Sequence, residues 1–366
     1  MEQLQIVETI DANLREGIGL IWNRRSKLQG FNLAVTEPIL TTTDRSRMSD
    51  LSYRLDLANK QKLKARDEPI PLLRLNRLDF FKTEDGGISL IEQNPGWVDN
   101  IGMACILSED FAFMERMRDR VLAAGCDRLL LLYTVATKAG RYEQDLTADL
   151  FSRLGLPAIS GRVDETNVEP SDAVLLSAPE SKLSMDEFFR VEQIRSRATL
   201  TSPTRGETAL EDKTLLNNYG IGIPSIPVTN MTDFQKLSEE GGFTVVKSTT
   251  SESGGGIAFL TGSETKAEQK RLFENLSNAS GVVLLQEPIG PYRVGYGIGL
   301  DFIGEQGNRP KGKPLQPLTV ELAGRAVKFN AWTVNGKVCA VIGTVARDMS
   351  TYINDAGFNF NASSIR

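Results

Sequence analysis

Two short motifs in the first third of the chain combine residue types that can hold a metal ion beside a cation. Arg77 and Asp79 are separated by one residue, and Glu92 and Asn94 repeat that spacing. Alternate residues of a strand share a face, so each pair can present both side chains together. Carboxylate and amide oxygens suit Mg²⁺, and an Arg beside them suits a phosphate or a developing oxyanion. The alternative for each residue is a polar hairpin face in water.

Lysine and glycine residues later in the chain are typical of phosphate binding. Lys247 ends the apolar run VVK and is followed by Gly254, Gly255 and Gly256. Glycines allow backbone N–H groups to approach phosphate oxygens. Lys213 lies in a stretch that reads as a helix. The alternatives are a flexible turn for the glycines and a solvated side chain for Lys213.

The end of another apolar run offers a place for a nucleotide base. VVLLQEPI reads as a buried strand that ends at Gln286 and Glu287. Its backbone can hydrogen-bond an adenine, with Glu287 near the ribose. The alternative is an ordinary strand end.

The elements that position these residues follow from hydrophobic periodicity and turn signals. Residues 72–94 predict a hairpin whose turn, at 82–87, contains Asp85-Gly86-Gly87. Residues 320–348 predict a second hairpin around Asn335-Gly336. The apolar run 127–135, a helix at 143–154 and a strand at 172–179 predict a small Rossmann-like lobe over about 126–180. It has no G-x-G-x-x-G motif, so we do not predict a dinucleotide site there.

Helical periodicity covers most of the remaining chain. It predicts helices over residues 1–30, 44–66 and 103–125, and a helix through Lys213 that ends at Gly220. Residues 243–249 predict a strand, and the polar stretch 304–314 predicts a loop.

Composition excludes several kinds of active site. The 366 residues include no His, so a Ser-His-Asp triad, a Cys-His dyad and His-ligated zinc are impossible. The three Cys are too few for zinc without His, and the apolar surroundings of Cys105 and Cys126 indicate buried thiols.

Charge and hydropathy predict the compartment and exclude some partners. The chain has 42 Lys and Arg against 47 Asp and Glu, a net charge of −5, which argues against binding nucleic acid or an anionic membrane. No apolar run approaches the roughly 20 residues of a transmembrane helix, and the acidic N-terminus is unlike a signal peptide. We expect a cytoplasmic protein.

The order of these motifs resembles the circularly permuted ATP-grasp superfamily, most closely the synthetase domain of glutathionylspermidine synthase. The similar features are R-x-D, then E-x-N about a dozen residues later, a helix Lys, a V-V-K strand, a Ser/Gly flap, a Q-E hinge and a closing G-x-x-x-R-D between Gly343 and Asp348. The resemblance covers about residues 72–100 and 205–348. No part of these 366 residues matches the amidase half of that bifunctional family, and contacts for glutathione or polyamine are not recognisable.

The resemblance implies a role for each matching residue. It implies Asp79, Glu92 and Asn94 as magnesium ligands, with two ions expected, and Arg77 as the arginine that stabilises the transition state. It implies that ATP is bound by Lys213, Lys247, the flap Gly254, Gly255 and Gly256, and the hinge Gln286 and Glu287. Arg347 is a looser match to a catalytic arginine.

Together these observations predict an α/β (α+β) chain with a circularly permuted ATP-grasp fold, a small Rossmann-like lobe and N-terminal helices. The expected division is an N-terminal helical segment (1–70), a metal-binding hairpin (71–105), the Rossmann-like lobe (106–200), and the lysine, flap and hinge lobes (201–366). The implied function is ATP-dependent ligation of a small carboxylic acid to an amine, giving ADP. A small-molecule kinase and a non-catalytic nucleotide-binding regulator remain alternatives, and a homodimer is compatible with all three.

Overall fold

The fold combines helices with three sheets among the residues that the computed structural model describes. These are residues 32–347 and 357–362, without 69, 72, 97–99, 109, 135–140, 178–182, 199, 203–204, 209, 241–243, 250–255, 278–279 and 302–317. The helix predicted over 1–30, the loop over 304–314, and Gly254 and Gly255 of the flap lie outside them. Mixed α/β architecture is confirmed.

The elements follow one another along the chain as helices and strands of moderate length. In chain order they are β1 (Asn32–Thr36), α1 (Thr42–Ala65), β2 (Leu75–Lys82), β3 (Ile88–Pro95), α2 (Ile101–Ser108), α3 (Ala112–Ala123), β4 (Arg128–Tyr133), α4 (Arg141–Arg153), β5 (Ala158–Arg162), β6 (Asp172–Ser177), α5 (Met185–Arg197), β7 (Leu200–Ser202), α6 (Arg205–Thr208), α7 (Thr214–Asn218), β8 (Ser225–Val228), α8 (Met231–Glu240), β9 (Thr244–Ser248), β10 (Ile257–Leu260), α9 (Lys266–Ser277), β11 (Val283–Gln286), β12 (Gly297–Asp301), β13 (Leu318–Glu321), β14 (Val327–Val334), β15 (Lys337–Val345) and β16 (Phe358–Asn361). No helix of the described part is long and apolar enough to span a membrane.

The largest sheet has eight strands in the order β13-β12-β1-β16-β15-β14-β2-β3. Both predicted hairpins lie in it as antiparallel pairs, β2 with β3 and β14 with β15. Asn335 and Gly336 have φ of 50° and 77°, the left-handed values that a two-residue type I′ turn requires. The two hairpin predictions are confirmed.

A β-bulge interrupts the first hairpin and decides which face its side chains occupy. Phe80 pairs with Leu90, whereas Asp79 pairs with Glu92, so Ile91 is an extra residue. Without the bulge, Glu92 would share the face of Leu90, which is fully buried in the core. The extra residue rotates the rest of β3 by one position and brings Glu92 onto the face of Asp79.

One face of this sheet is apolar and packs on α1. A single cluster joins strand residues to helix residues there, including Leu78, Phe80, Phe329, Ala331 and Val341 with Met48, Leu51 and Leu55. A capping box begins the helix: the Thr41 side chain accepts from the Asp44 N–H at 3.1 Å, and Asp44 accepts from the Thr41 N–H at 2.8 Å. Because α1 covers this face, the polar side chains of the same strands lie on the other.

The Rossmann-like lobe is confirmed as a parallel sheet in the order β5-β4-β6-β7. The strand β4 is buried between its neighbours, as its continuous apolar run predicted. The lobe shares one core with the large sheet, in which Phe113, Met117 and Leu131 belong to the same cluster as Trp332 and Ile342.

The third sheet is antiparallel, in the order β10-β9-β11-β8. Its middle strands are those predicted over 243–249 and 282–289. Helices α8 and α9 pack on it through a core that includes Phe234, Val246 and Leu285. Lys247 lies on β9 opposite Ile257 and Leu284.

Two helix predictions are wrong in detail. The stretch 103–125 contains two helices, because Ser108 bonds to the Cys105 carbonyl at 3.4 Å and the Asp110 carboxylate accepts from the Ala112 N–H at 2.9 Å. The helix predicted through Lys213 is also two short helices, and Lys213 is the residue before α7.

The local cause at Lys213 is the preceding aspartate. The Asp212 carboxylate accepts from the Thr214 N–H at 2.9 Å and from its hydroxyl at 2.8 Å, which begins a new helix at that point. The predicted end at Gly220 is correct, with φ of 61°.

The three cysteines are buried thiols that form no disulfide, as predicted. Burial raises the pKa of the Cys105 and Cys339 thiols. These thiols are therefore unsuited to nucleophilic chemistry.

Gly343 is required for packing within the large sheet. It pairs with Phe360 on β16, and a Cβ at Gly343 would overlap the Phe360 ring. We expect Gly343→Ala to destabilise the protein by about 1–3 kcal/mol, because a buried ring must shift. Thermal unfolding measures the effect, with Gly290→Ala as control, since the Cβ there would meet only the Glu84 side chain at 3.3 Å. Equal melting temperatures for both variants would contradict this assignment.

Candidate active site

The polar face of the first hairpin brings the two sequence motifs together. Arg77 pairs with Asn94 across the strands, and Asp79 pairs with Glu92. The Arg77 Nε lies 3.0 Å from the Asp79 Oδ1, and both side chains are buried. The Asn94 Nδ2 donates to the Arg77 carbonyl at 3.3 Å. All four predicted residues therefore lie within one cross-strand block.

The two predicted lysines approach this block from the third sheet and from the segment before α7. The Lys213 Nζ lies 3.3 Å from the Glu92 Oε1. Lys213 also donates its backbone N–H to the Thr249 carbonyl at 3.2 Å, which fixes it beside the end of β9. Burial, followed by the charge of Lys213, lowers the pKa of Lys247 to about 8, with Glu92 opposing both effects.

A narrow cleft that is partly open to solvent lies between the large sheet and the third sheet. The two lysines and Gln286 line it together with apolar side chains and two small polar ones, namely Ile91, Leu216, Ile223, Leu284, Asn217 and Ser225. The Asn217 carboxamide accepts from the Ser225 N–H at 3.2 Å. Apolar walls with a cationic end suit a planar base attached to an anionic group.

Three predicted residues of the described part, Glu287, Gly256 and Arg347, are not brought to this cleft by the described contacts. Glu287 is exposed and does not line it. Gly256 is described, and its carbonyl accepts from the Ser248 N–H at 2.7 Å, but Gly254 and Gly255 lie outside the described residues. Arg347 forms an ion pair with Asp301 at 2.7 Å, and no contact joins it to the block around Asp79.

Two site residues on β14 escaped the sequence analysis. The Lys328 Nζ lies 3.5 Å from the Asp79 Oδ2, and Asn330 pairs with Asp79 across the strands. The sequence pattern of VKFNAWTV predicts only a hairpin strand. The feature that could have identified these two residues is the alternation of a charged and an amide side chain with apolar residues. The strand that carries them is buried along its whole length.

The donor set fits magnesium in its chemistry. Asp79, Glu92 and Asn94 supply two carboxylates and an amide oxygen, and no sulfur or imidazole competes. No group of three His, Cys, Asp or Glu side chains that could hold a metal occurs in the described part of the chain. The Asn94 Nδ2 contact with a carbonyl leaves its Oδ1 as a third oxygen that a magnesium ion could use beside the two carboxylates.

The pKa of Lys247 predicts how the affinity of this cleft for a phosphate-bearing ligand such as a nucleotide would depend on pH. A phosphate raises the pKa of a lysine that it contacts, so the bound form holds its proton to a higher pH than the free form. Affinity should be constant below pH about 8 and weaken above it, by up to about tenfold per unit. Titration of a fluorescent ADP analogue between about pH 7 and 10 measures this. Lys247→Met should remove the dependence, and an unchanged pH profile in that variant would contradict it.

Comparison with solved structures gives neighbours with low similarity to this chain. One is a protein of Methylobacillus flagellatus described as a candidate gamma-glutamylcysteine synthetase, with 12% identity, a TM-score of 0.45 and 87% of each chain covered. Another is the D-cycloserine synthetase DcsG, with 16% identity and a TM-score of 0.34, covering 58% of this chain and 90% of that one. No family model and no curated protein sequence matches this chain.

Proposed function

We propose that this chain is an ATP- and magnesium-dependent carboxylate-amine ligase that forms an amide through an acyl phosphate and releases ADP and phosphate. The observation that supports it most is the meeting of Asp79 and Glu92 with Lys213 and Lys247 at one end of an apolar cleft. In this proposal the cleft between the large and third sheets is the nucleotide site of a circularly permuted ATP-grasp fold.

Each residue has a task that its position suits. Lys213 and Lys247 would neutralise the ATP phosphates, while Leu216, Ile223 and Leu284 enclose the base. Asp79, Glu92 and Asn94 would hold magnesium, which supplies charge neutralisation to the transferring phosphoryl group. Arg77, which remains protonated at any working pH, would contact the acyl oxygen as negative charge develops there.

The chemistry needs no histidine. A substrate carboxylate oxygen attacks the γ-phosphorus, and the bond from that phosphorus to the ADP oxygen breaks. The amine nitrogen then attacks the acyl carbon, the bond to the phosphate oxygen breaks, and the amine proton leaves to the departing phosphate or a carboxylate. Positioning and charge neutralisation provide most of the rate enhancement.

The direct test measures ADP release with ATP, Mg²⁺ and pooled amino acids, other small acids and polyamines. ADP that depends on both an acid and an amine is expected, and mass spectrometry then identifies the amide. With the acid but no amine, hydroxylamine should trap a hydroxamate. ADP without hydroxamate would indicate a kinase, and no ADP would indicate a non-catalytic regulator.

An isotope experiment identifies the intermediate. With ¹⁸O in the substrate carboxylate, one label should appear in the released phosphate. Label in AMP instead would identify an adenylate-forming ligase and contradict the proposal.

A further inference from the structure

The strand order separates a nucleotide side from an acceptor side on the polar face of the large sheet. The edge strand β3 carries Glu92, which contacts Lys213 of the nucleotide cleft. β2 carries Asp79, and beyond it lie β14, β15 and β16. A phosphoryl acceptor must lie on the far side of the metal ligands from ADP, because attacking and leaving oxygens are in line. That side is β14 to β16.

Polar side chains continue across these three strands, and we call them the acceptor ladder: Lys328, Asn330, Thr344 and Asn359. All four are buried, at 7%, 7%, 1% and 7% exposure. Lys328 pairs with Thr344, and Thr344 pairs with Asn359, so the ladder lies on one face. Lys328 is its only charged member.

Hydrogen bonds fix the Asn330 amide within the ladder. The Thr344 hydroxyl donates to the Asn359 Oδ1 at 2.9 Å, so it must accept from the Asn330 Nδ2 at 3.3 Å. The Asn330 Oδ1 is therefore turned away from β15, and no described side chain or backbone group donates to it. A buried acceptor without a donor is rare in native proteins and calls for an explanation.

We propose that the acceptor ladder binds the acid substrate, with Lys328 on its carboxylate and Asn330 Oδ1 accepting from an N–H or O–H near that carboxylate. The inference rests on the proposed ligase function and names its substrate class: a small amino or hydroxy carboxylic acid. A polyamine fits poorly, because the ladder has one cation and no carboxylate.

The experiment compares wild type with Lys328→Met, Asn330→Leu and Asn330→Asp. Alanine, lactate and propionate serve as matched probes and the pooled amino and hydroxy acids as the wider set, with hydroxylamine as the amine. Lys328→Met should raise the KM for the acid at least about tenfold while the Kd of a fluorescent ADP analogue stays within about twofold. Asn330→Leu should abolish the preference for acids that carry the N–H or O–H donor.

Two further variants keep the assignment specific. Lys337→Met removes the same charge from an exposed position of the same hairpin and should leave the KM unchanged. Asn330→Asp keeps the acceptor oxygen and the size of the side chain. This variant should therefore still use acids that carry the N–H or O–H donor, and it should prefer an ammonium to a hydroxyl. The proposal would be overturned if Asn330→Leu still preferred acids that carry the N–H or O–H donor. It would also be overturned if only the polyamine pool gave activity.

A binding readout separates this inference from the proposed function. Thermal shift by the acid pool in the presence of Mg-ADP should be seen in wild type and lost in Lys328→Met. If wild type gives that shift but no hydroxamate, the ligase proposal fails and the acid subsite stands. If hydroxamate forms but neither variant changes acid dependence, the subsite fails and the ligase stands. If neither signal appears, both fail.

Discussion

Glu92→Gln is expected to leave the protein folded and to reduce magnesium-dependent turnover at least about a hundredfold. Loss of a partner outside the first coordination shell already costs about 10–100-fold in metal enzymes, and Glu92 is assigned to the metal itself. The amide keeps the size of the side chain but loses the charge that faces Lys213 at 3.3 Å. The free energy of unfolding should change little. The Glu92 side chain is 33% exposed, and ion pairs that are exposed to this extent stabilise the folded protein only weakly.

The measurement is the initial rate of ADP release across a magnesium titration. Glu321→Gln removes the same charge from an exposed position on β13 and should have wild-type rates. Wild-type turnover of Glu92→Gln at saturating magnesium would reject Glu92 as a metal ligand.

Arg77→Ala should slow amide formation by on the order of a hundredfold or more, the usual scale for loss of one oxyanion contact. Arg77 is 8% exposed and bonds to Asp79, so it is fixed beside the carboxylate assigned to magnesium. Arg77→Lys keeps the charge but loses the planar fork, and we expect only partial recovery.

Arg74→Ala is the matched control for this variant. Arg74 precedes the same strand, but its guanidinium bonds to Asp56 of α1 at 2.7 and 2.8 Å. It should lower stability without lowering turnover of the folded protein. Amide formation at the wild-type rate in Arg77→Ala would show that the guanidinium serves only to neutralise Asp79.

Local signals in the sequence were sufficient for the hairpins and the parallel lobe. Asp85-Gly86-Gly87 and Asn335-Gly336 encode turns in their own residues, and the apolar run of β4 encodes burial on both faces. The E-x-N and R-x-D spacing predicted shared faces because that depends only on strand alternation.

Features that depend on distant partners could not be read in the same way. The helix break at Lys213 is caused by the single side chain of Asp212. Helical periodicity is judged over many residues and does not detect the effect of one side chain. Lys328 and Asn330 can be recognised as site residues only because they lie beside Asp79. Asp79 is about 250 residues away in the sequence, and no local pattern predicts that β14 pairs with β2. The meeting of Asp79 with Glu92 required the bulge, for which the prediction had no signal.

The bulge at Ile91 also determines where this hairpin tolerates insertions and deletions. The turn residues Glu84 to Gly87 are exposed, so a change of length there alters only the tip. Deletion of Ile91 would remove the extra residue and place Glu92 directly after Leu90, so Glu92 would still pair with Asp79 and stay on the polar face with Asn94. Recombination between related chains should therefore tolerate a crossover that drops residue 91, because the ladder then becomes regular with Glu92 still opposite Asp79.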